Sequence, residues 1–177
     1  IYKEPRYLAS AEKGGEFMLL SQMPEPQPGW AQQYDREMHP AWARQFEPPS
    51  ITGGESQSVM RALMLLYRET GQKKYLEPLP RALAYYKRSI LPDVENPSEI
   101  RRRACPGRTP CFARFYELKT NRPLYVTKGT RVTAVGQGVT NVDGYELSYS
   151  DQSVITHYAV LTSGAALADI EAEYKAL

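Results

Sequence analysis

The sequence lacks several features that would place it in a particular class of protein. No run of 18 apolar residues occurs among its 177 residues, so the sequence predicts no membrane-spanning helix. No apolar segment follows a basic N-terminus, so no signal peptide is predicted. A hydrophobic content of 42% and a mean hydropathy of −0.52 are typical of a soluble globular protein. Because the chain begins at Ile1 rather than Met, we expect the natural N-terminus to lie further upstream.

Cysteine and histidine are also scarce. Cys105 and Cys111 are the only cysteines, and two thiols in the segment CPGRTPC are too few for a structural zinc site. They either form a disulfide, which implies an oxidising compartment, or remain as two free thiols. His39 and His157 stand in no catalytic arrangement of known spacing. The HExxH, EF-hand, GxGxxG and P-loop motifs are absent.

The net charge of +2 conceals an uneven distribution along the chain. Between Arg101 and Arg131 there are nine basic residues and a single acid, Glu117, so this stretch carries +8 while the remainder carries −6. Such asymmetry indicates an anionic partner, either nucleic acid, an acidic polysaccharide or a phosphorylated ligand. The alternative is a solvated basic loop with no partner.

The spacing of apolar residues predicts helices, and an internal similarity favours a ring of helical hairpins. A Tyr-Leu pair precedes an X-Pro pair by 16 residues twice, starting at Tyr7 and at Tyr75, although chance similarity between amphipathic helices would look the same. The expected fold is mainly α, a partial (α/α) toroid with a small β-hairpin region near the C-terminus. The predicted helices are Pro5–Gln22, a weak one at Ala41–Phe46, Glu55–Thr70, Lys74–Leu91 and Gly164–Leu177.

After Phe112 the pattern changes to the alternation typical of strands. Strands are predicted at Leu124–Thr127, Thr130–Val135 and Tyr145–Tyr149, with a turn at Asp143-Gly144. We expect these segments and the helices to form one domain over residues 1–177.

The segment from Trp30 to Gln57 is the densest in residues that carry chemistry. Its aromatic side chains suit stacking on sugar rings, and loops of this kind often form sites on rigid scaffolds. The alternative is that the aromatics form a satellite core under a long loop. Asp35 with Glu47 or Glu55 would supply the two carboxylates that a glycosidase needs.

Four motifs, in order, make the sequence recognisable: LLSQMPEPQPGWAQQYD, MHPAWARQFEPPSITGGESQ, ARFYELKTNRPLY and THY. Over about Pro5 to Val160 the chain resembles the family 10 polysaccharide lyases, which are pectate lyases. The resemblance implies an (α/α) toroid, polygalacturonate as substrate and calcium-assisted β-elimination. It also implies that this chain is the C-terminal portion of a larger catalytic module, secreted or periplasmic, and we expect a monomer.

The resemblance further implies roles for individual residues. Arg44 matches the proposed base that removes the C5 proton, although arginine is a poor base and Arg44 would otherwise stabilise negative charge. Arg114 and Lys128 match residues that clamp substrate carboxylates, and Lys128 stands where the family tends to have arginine. Further expected substrate contacts are Lys119, Arg122, Trp42 and His39. The calcium ligands are expected upstream of residue 1, and Glu55 is expected to cap its helix.

Two other functions compete with the lyase hypothesis. A non-catalytic pectin-binding domain would keep the aromatic side chains and the basic clamp. A nucleic-acid-binding role for Arg101–Arg103 is disfavoured, because stacking side chains are not interleaved with these arginines.

Overall fold

Two small antiparallel sheets and a set of helices make up the part of the chain that the computed structural model describes, residues 4–44, 46–128 and 145–177. The helices are α1 (Pro5–Leu20), α2 (Glu55–Thr70), α3 (Leu79–Arg88), α4 (Glu99–Ala104) and α5 (Ala165–Lys175). The strands are β1 (Ile51–Thr52), β2 (Cys111–Ala113), β3 (Phe115–Tyr116), β4 (Pro123–Lys128), β5 (Tyr145–Ser148) and β6 (Leu161–Ser163). The larger sheet has the strand order β1-β3-β4-β5, and β2 pairs with β6.

The prediction of a mainly α toroid is wrong. The structure is mixed, with 39% helix and 17% strand over the residues that it describes. Strands of two or three residues such as β1, β3 and β6 are too short for an alternating pattern to show in the sequence. The apparent repeat also fails structurally, since Tyr7 is 51% exposed whereas Tyr75 is fully buried. The two Tyr-Leu pairs therefore do not occupy equivalent positions.

The long helices agree with the sequence pattern better than the short ones do. The α2 helix is confirmed at the expected bounds, and it ends at Gly71, whose φ of 69° is the left-handed conformation that glycine adopts readily. The predicted helix from Lys74 begins only at Leu79, because a 3₁₀ turn and Pro78 precede it; Pro80 lies in its first turn. The prediction of a weak helix at Ala41–Phe46 is wrong. There, a bridge joins Ala43 to Glu47 instead.

The predicted hairpin strands are confirmed where the structure describes them. β4 and β5 pair antiparallel, with Val126 opposite Leu147 and Lys128 opposite Tyr145. The strand predicted at Thr130–Val135 and the turn at Asp143-Gly144 lie outside the described residues.

An aromatic core fills the space between the helices and the larger sheet. Its largest fully buried side chains include Trp30, Tyr86, Tyr116 and Phe115. Their polar atoms bond to backbone carbonyls, as with the Trp30 indole to Met18 at 2.7 Å and the Tyr86 hydroxyl to Thr52 at 2.8 Å. Such partners offset the cost of burying polar atoms. For Trp30 the core interpretation is therefore correct.

A disulfide joins Cys105 to Cys111, with 5.5 Å between their Cα atoms, which confirms the first of the two alternatives. It connects the end of α4 to β2. Of the helices in the described residues, none has the length and apolarity needed to cross a membrane.

Candidate functional site

The loop between Trp30 and Ile51 is anchored at both ends to the core. The Thr52 amide donates to the Trp30 carbonyl at 2.9 Å, and the Trp30 amide donates to the Ser56 hydroxyl at 3.1 Å. Within the loop, the Tyr34 hydroxyl donates to the Ser21 carbonyl at 2.8 Å. These bonds anchor the loop that carries Arg44 and Glu47.

Arg44 and Glu47 form an ion pair across this turn. Arg44 has a φ of 41°, in the left-handed region that non-glycine residues rarely adopt. Its Nε donates to Glu47 Oε2 at 2.8 Å, and its Nη2 donates to Oε1 of the same carboxylate. The Glu47 side chain is 2% exposed whereas that of Arg44 is 60% exposed. The buried acid thus holds a cation that still faces solvent.

Two further donors surround the Glu47 carboxylate. The Tyr158 hydroxyl donates to Oε1 at 2.6 Å, and the Gln32 side-chain amide donates to the same oxygen at 2.7 Å. Charge-assisted bonds of this kind compensate for burying a carboxylate.

The pKa values of the three ionisable groups follow from these contacts. The hydrogen bonds from Arg44 lower the pKa of Glu47, and the same pairing raises the pKa of Arg44. Burial, and then the bond to Glu47, raise the pKa of Tyr158. Glu47 is therefore ionised, Arg44 charged and Tyr158 protonated at neutral pH.

A second arginine approaches the same tyrosine ring. The guanidinium carbon of Arg114 lies 4.4 Å from the Tyr158 centroid, and that of Arg44 lies 5.2 Å from it. Both distances are within the range of cation–π interaction. We call Arg44, Glu47, Arg114 and Tyr158 the Tyr158 cluster. It places two guanidinium groups, each paired with a glutamate, beside one aromatic ring.

Backbone pairing fixes the position of Arg114 between β2 and β3. Its amide donates to the Val160 carbonyl at 2.8 Å, and its carbonyl accepts from the Gly53 amide at 3.0 Å. A Cβ atom on Gly53 would lie 2.3 Å from the Ala113 carbonyl oxygen, so a side chain there would prevent this approach. The Arg114 guanidinium pairs with Glu55 at the start of α2.

That ion pair corrects the interpretation of Glu55 as only a helix cap. Its carboxylate accepts from Arg114, and no side-chain cap bond forms at the N-terminus of α2. Arg114 Nε and Glu55 Oε2 are buried without hydrogen-bond partners in the described part of the chain.

Lys128 lies at the edge of this region. It is exposed at the end of β4, opposite Tyr145. The Tyr145 ring packs on Phe46 at 5.5 Å, and the Phe46 ring lies 4.7 Å from that of Tyr158. The strand pairing therefore brings Lys128 to the same side of the molecule as the cluster.

Lys119 and Arg122 lie elsewhere, in the β3–β4 turn (residues 117–122). This turn follows β3, whereas Arg114 precedes it. The Lys119 amide donates to the Gln27 side chain at 2.5 Å, and the Arg122 guanidinium carbon lies 3.3 Å from the Tyr149 centroid. Their contacts fix the turn.

His39 and Trp42 lie within the loop but do not join the cluster's hydrogen bonds. The His39 amide donates to Asp35 Oδ1 at 2.9 Å, and its Nδ1 lies 3.6 Å from Asp35 Oδ2. Trp42 is partly buried. The three acids considered for a glycosidase each face a different side chain: Asp35 faces His39, Glu47 faces Arg44 and Glu55 faces Arg114.

Tyr158 and Gln32 are the site residues that sequence reasoning missed as candidates. Each lies within a recognised motif, Tyr158 in THY and Gln32 in WAQQYD. Their positions within those motifs are the signal by which the sequence could have identified Tyr158 and Gln32 as candidates.

Calcium does not fit the acids that the structure describes. Over residues 4–44, 46–128 and 145–177, no group of three or more His, Cys, Asp or Glu side chains could hold a metal ion. The Glu47 carboxylate within the cluster and the Glu55 carboxylate beside it each bind an arginine instead. A calcium ion needs six to eight oxygen ligands. These residues alone do not provide them.

Comparison with known proteins gives one family. The sequence model of a family described as pectic acid lyase matches residues 3–147, which include Arg44, Arg114 and Lys128. No curated protein matches the chain.

Proposed function

Because the chain belongs to the pectic acid lyase family, we propose that it cleaves polygalacturonate by β-elimination. The observation that carries this proposal is the pair of guanidinium groups over the Tyr158 ring. Each galacturonate unit carries a carboxylate, and paired arginines bind carboxylates with defined geometry. We propose in addition that the chain falls within polysaccharide lyase family 10, on the four motifs quoted above.

The chemistry requires stabilisation of negative charge. β-Elimination transfers the C5 proton, which lies α to the uronate carboxylate, to a base, forms the C4–C5 double bond and expels the O4 leaving group, which takes up a proton from solvent. As the proton leaves, charge accumulates on the carboxylate oxygens. Fixed cations aimed at those oxygens lower the barrier, because they need little rearrangement during the reaction. Arg114, which is 20% exposed and bonded on one side to Glu55, is suited to this role.

The surroundings of Arg44 support a charged role for it as well. A base must be neutral before it accepts a proton, and Glu47 keeps Arg44 protonated through two hydrogen bonds. We therefore propose that Arg44 binds and stabilises the reacting carboxylate. Proton abstraction by Arg44 stays a prediction that requires substrate to displace the guanidinium from Glu47.

Other residues have supporting roles in this proposal. Lys128 pairs with a neighbouring uronate as a point charge, without the two-pronged geometry of arginine. His39 and Trp42 border the substrate path, whereas Lys119 and Arg122 contact it only if the polymer extends past the β3–β4 turn.

Calcium assistance stays a prediction, and no step above depends on it. Secretion also belongs to the proposal. The Cys105–Cys111 disulfide supports it, since disulfides persist in oxidising compartments. The monomeric state and the extent of the domain stay predictions.

The product distinguishes a lyase from a hydrolase. Purified protein is mixed with polygalacturonate, with and without added calcium, and both ultraviolet absorbance and reducing ends are measured. A lyase gives an alkene conjugated to the uronate carboxylate, so the two signals should rise together. Reducing ends without the absorbance would indicate hydrolysis and contradict the proposal.

A pectin-binding domain without catalysis is the second candidate. The ion pair between Arg44 and Glu47 favours it, because an arginine that a carboxylate keeps protonated binds anions without transferring protons. Polygalacturonate binding measured by calorimetry, with neither absorbance nor reducing ends under any calcium concentration, would support this candidate over the lyase.

A further inference from the structure

A cavity of 430 Å³ adjoins the Tyr158 cluster and has no role in the function proposed so far. One wall is formed by α4, through Ile100 and Arg103, and the other by the segment from residue 155 to residue 163. His157 and Tyr158 line its near end. Its volume is within the range of about 300–1,000 Å³ that is typical of small-molecule sites.

The cavity is continuous with the cluster. Tyr158 belongs to both, and the neighbouring Ala159 carbonyl lies 3.5 Å from Arg114 Nη1. A linear polymer bound at the two arginines and extending along residues 155–163 would enter the cavity.

Of three consecutive arginines in α4, Arg103 lines this cavity. Arg101 and Arg102 donate hydrogen bonds to the carbonyls of Pro92 and Pro97 and line a different cavity. Arg103 instead forms an exposed ion pair with Glu99 at 3.2 Å. An ion pair between exposed side chains is weak, so a uronate carboxylate can readily replace Glu99 as its partner.

The disulfide fixes the distance between the two walls. Cys105 directly follows α4, and Cys111 begins β2, the partner strand of β6. The Cys105 sulfur also lies 3.5 Å from the carbonyl oxygen of Thr162, a residue that lines the cavity. Arg103 is thereby held on a helix whose end is covalently attached to the sheet forming the opposite wall.

We propose that this cavity is an additional binding site for the same acidic polysaccharide, in which Arg103 pairs with the carboxylate of a uronate unit beyond the reacting one. This inference rests on the proposed function. It predicts that Arg103 contributes to binding only when the oligomer is long enough to extend from the cluster to α4.

The test compares affinity as a function of oligomer length. Binding of galacturonate oligomers of two to eight units is measured by calorimetry for the wild type, Arg103→Ala and the control Arg108→Ala. The control removes the same charge from an exposed position in the disulfide loop. We expect Arg103→Ala to weaken binding of the long oligomers by about five- to tenfold, as is reasonable for one charge-assisted contact, and to leave the shortest unchanged.

Three results would overturn the inference, and each can be distinguished from the others. Equal affinities of Arg103→Ala and the wild type at every length, with lyase activity present, would refute the additional site and leave the proposed function standing. A wild type that neither binds nor cleaves any oligomer would refute both proposals. Equal losses in Arg103→Ala and Arg108→Ala would indicate a nonspecific charge effect and also contradict the inference.

Discussion

Two regions of this molecule share one arrangement of side chains. In each, an arginine lies over a tyrosine ring, and the tyrosine hydroxyl donates a hydrogen bond to a buried glutamate. In the Tyr158 cluster the tyrosine donates to Glu47 at 2.6 Å. In the β3–β4 turn Tyr149 donates to Glu117 at 2.7 Å, and Arg122 covers its ring. Hydrogen bonding to the glutamate raises the pKa of both tyrosines, although burial contributes more for Tyr158.

The two regions differ in what else converges on them. In the cluster, Arg44 bonds Glu47 directly and a second arginine, Arg114, reaches the same ring. In the turn, the second partner of Glu117 is the Thr120 hydroxyl, a neutral group three residues away. Local contacts such as the one between Glu117 and Thr120 are sufficient to fix a turn. The cluster instead brings together two cations from distant parts of the sequence, Arg44 and Arg114, each paired with a glutamate.

The largest difference is expected when each arginine is removed. Arg44→Ala should reduce the lyase rate by about 10²- to 10³-fold, the usual effect of losing one charge-stabilising donor, while oligomer binding persists. Arg122→Ala should change the rate by less than about threefold, because its contacts fix the turn. The measurement is the initial rate of product absorbance for the two variants. Similar lyase rates for Arg44→Ala and Arg122→Ala would contradict the proposed difference between the two regions.

This difference also shows how far the sequence determines the site. Arg44 and Arg114 are candidates from the sequence because each stands in a recognisable motif, and α2 could be predicted because its apolar periodicity is long. The Tyr158–Glu47 bond spans 111 residues, so no local spacing reveals it. The two-residue pairing of β1 with β3 likewise depends on tertiary contacts, which is why a mainly α fold was wrongly expected.

The glutamates should differ in their contribution to stability. Glu47→Gln leaves the guanidinium and two other donors facing one neutral acceptor, which should lower the free energy of unfolding by about 1–3 kcal/mol. Glu117→Gln should cost less, since one carbonyl oxygen can still accept from a hydroxyl. Urea denaturation of both variants at neutral pH measures the difference. A larger loss for Glu117→Gln would contradict the comparison.

The effect of Glu47 should also depend on pH. Its pKa is lower in the folded protein than the value of about 4.3 expected for an unfolded glutamate. Its stabilisation is therefore present above that value and is lost as the pH falls through the lowered, folded-state pKa. The difference between the wild type and Glu47→Gln should shrink in acid, and a difference that stays constant down to pH values below the folded pKa would contradict the pairing.

Removal of the hydroxyl groups should give the smallest effect. Tyr158→Phe keeps the ring under both guanidiniums but loses the bond to Glu47, so we expect about a three- to tenfold lower rate, the equivalent of about one hydrogen bond. Tyr149→Phe should leave the rate unchanged. Rates and thermal melting of both variants provide the check, and equal losses in rate would indicate a shared structural role.

The mass of the cleavage products tests the central claim most directly. Galacturonate oligomers are digested with the wild-type protein in the presence of calcium, and the fragments are weighed by mass spectrometry. β-Elimination predicts that the fragment with the new non-reducing end is lighter by one water molecule than the saturated oligomer of the same length. Fragments of saturated mass only, or an undigested oligomer, would contradict the account.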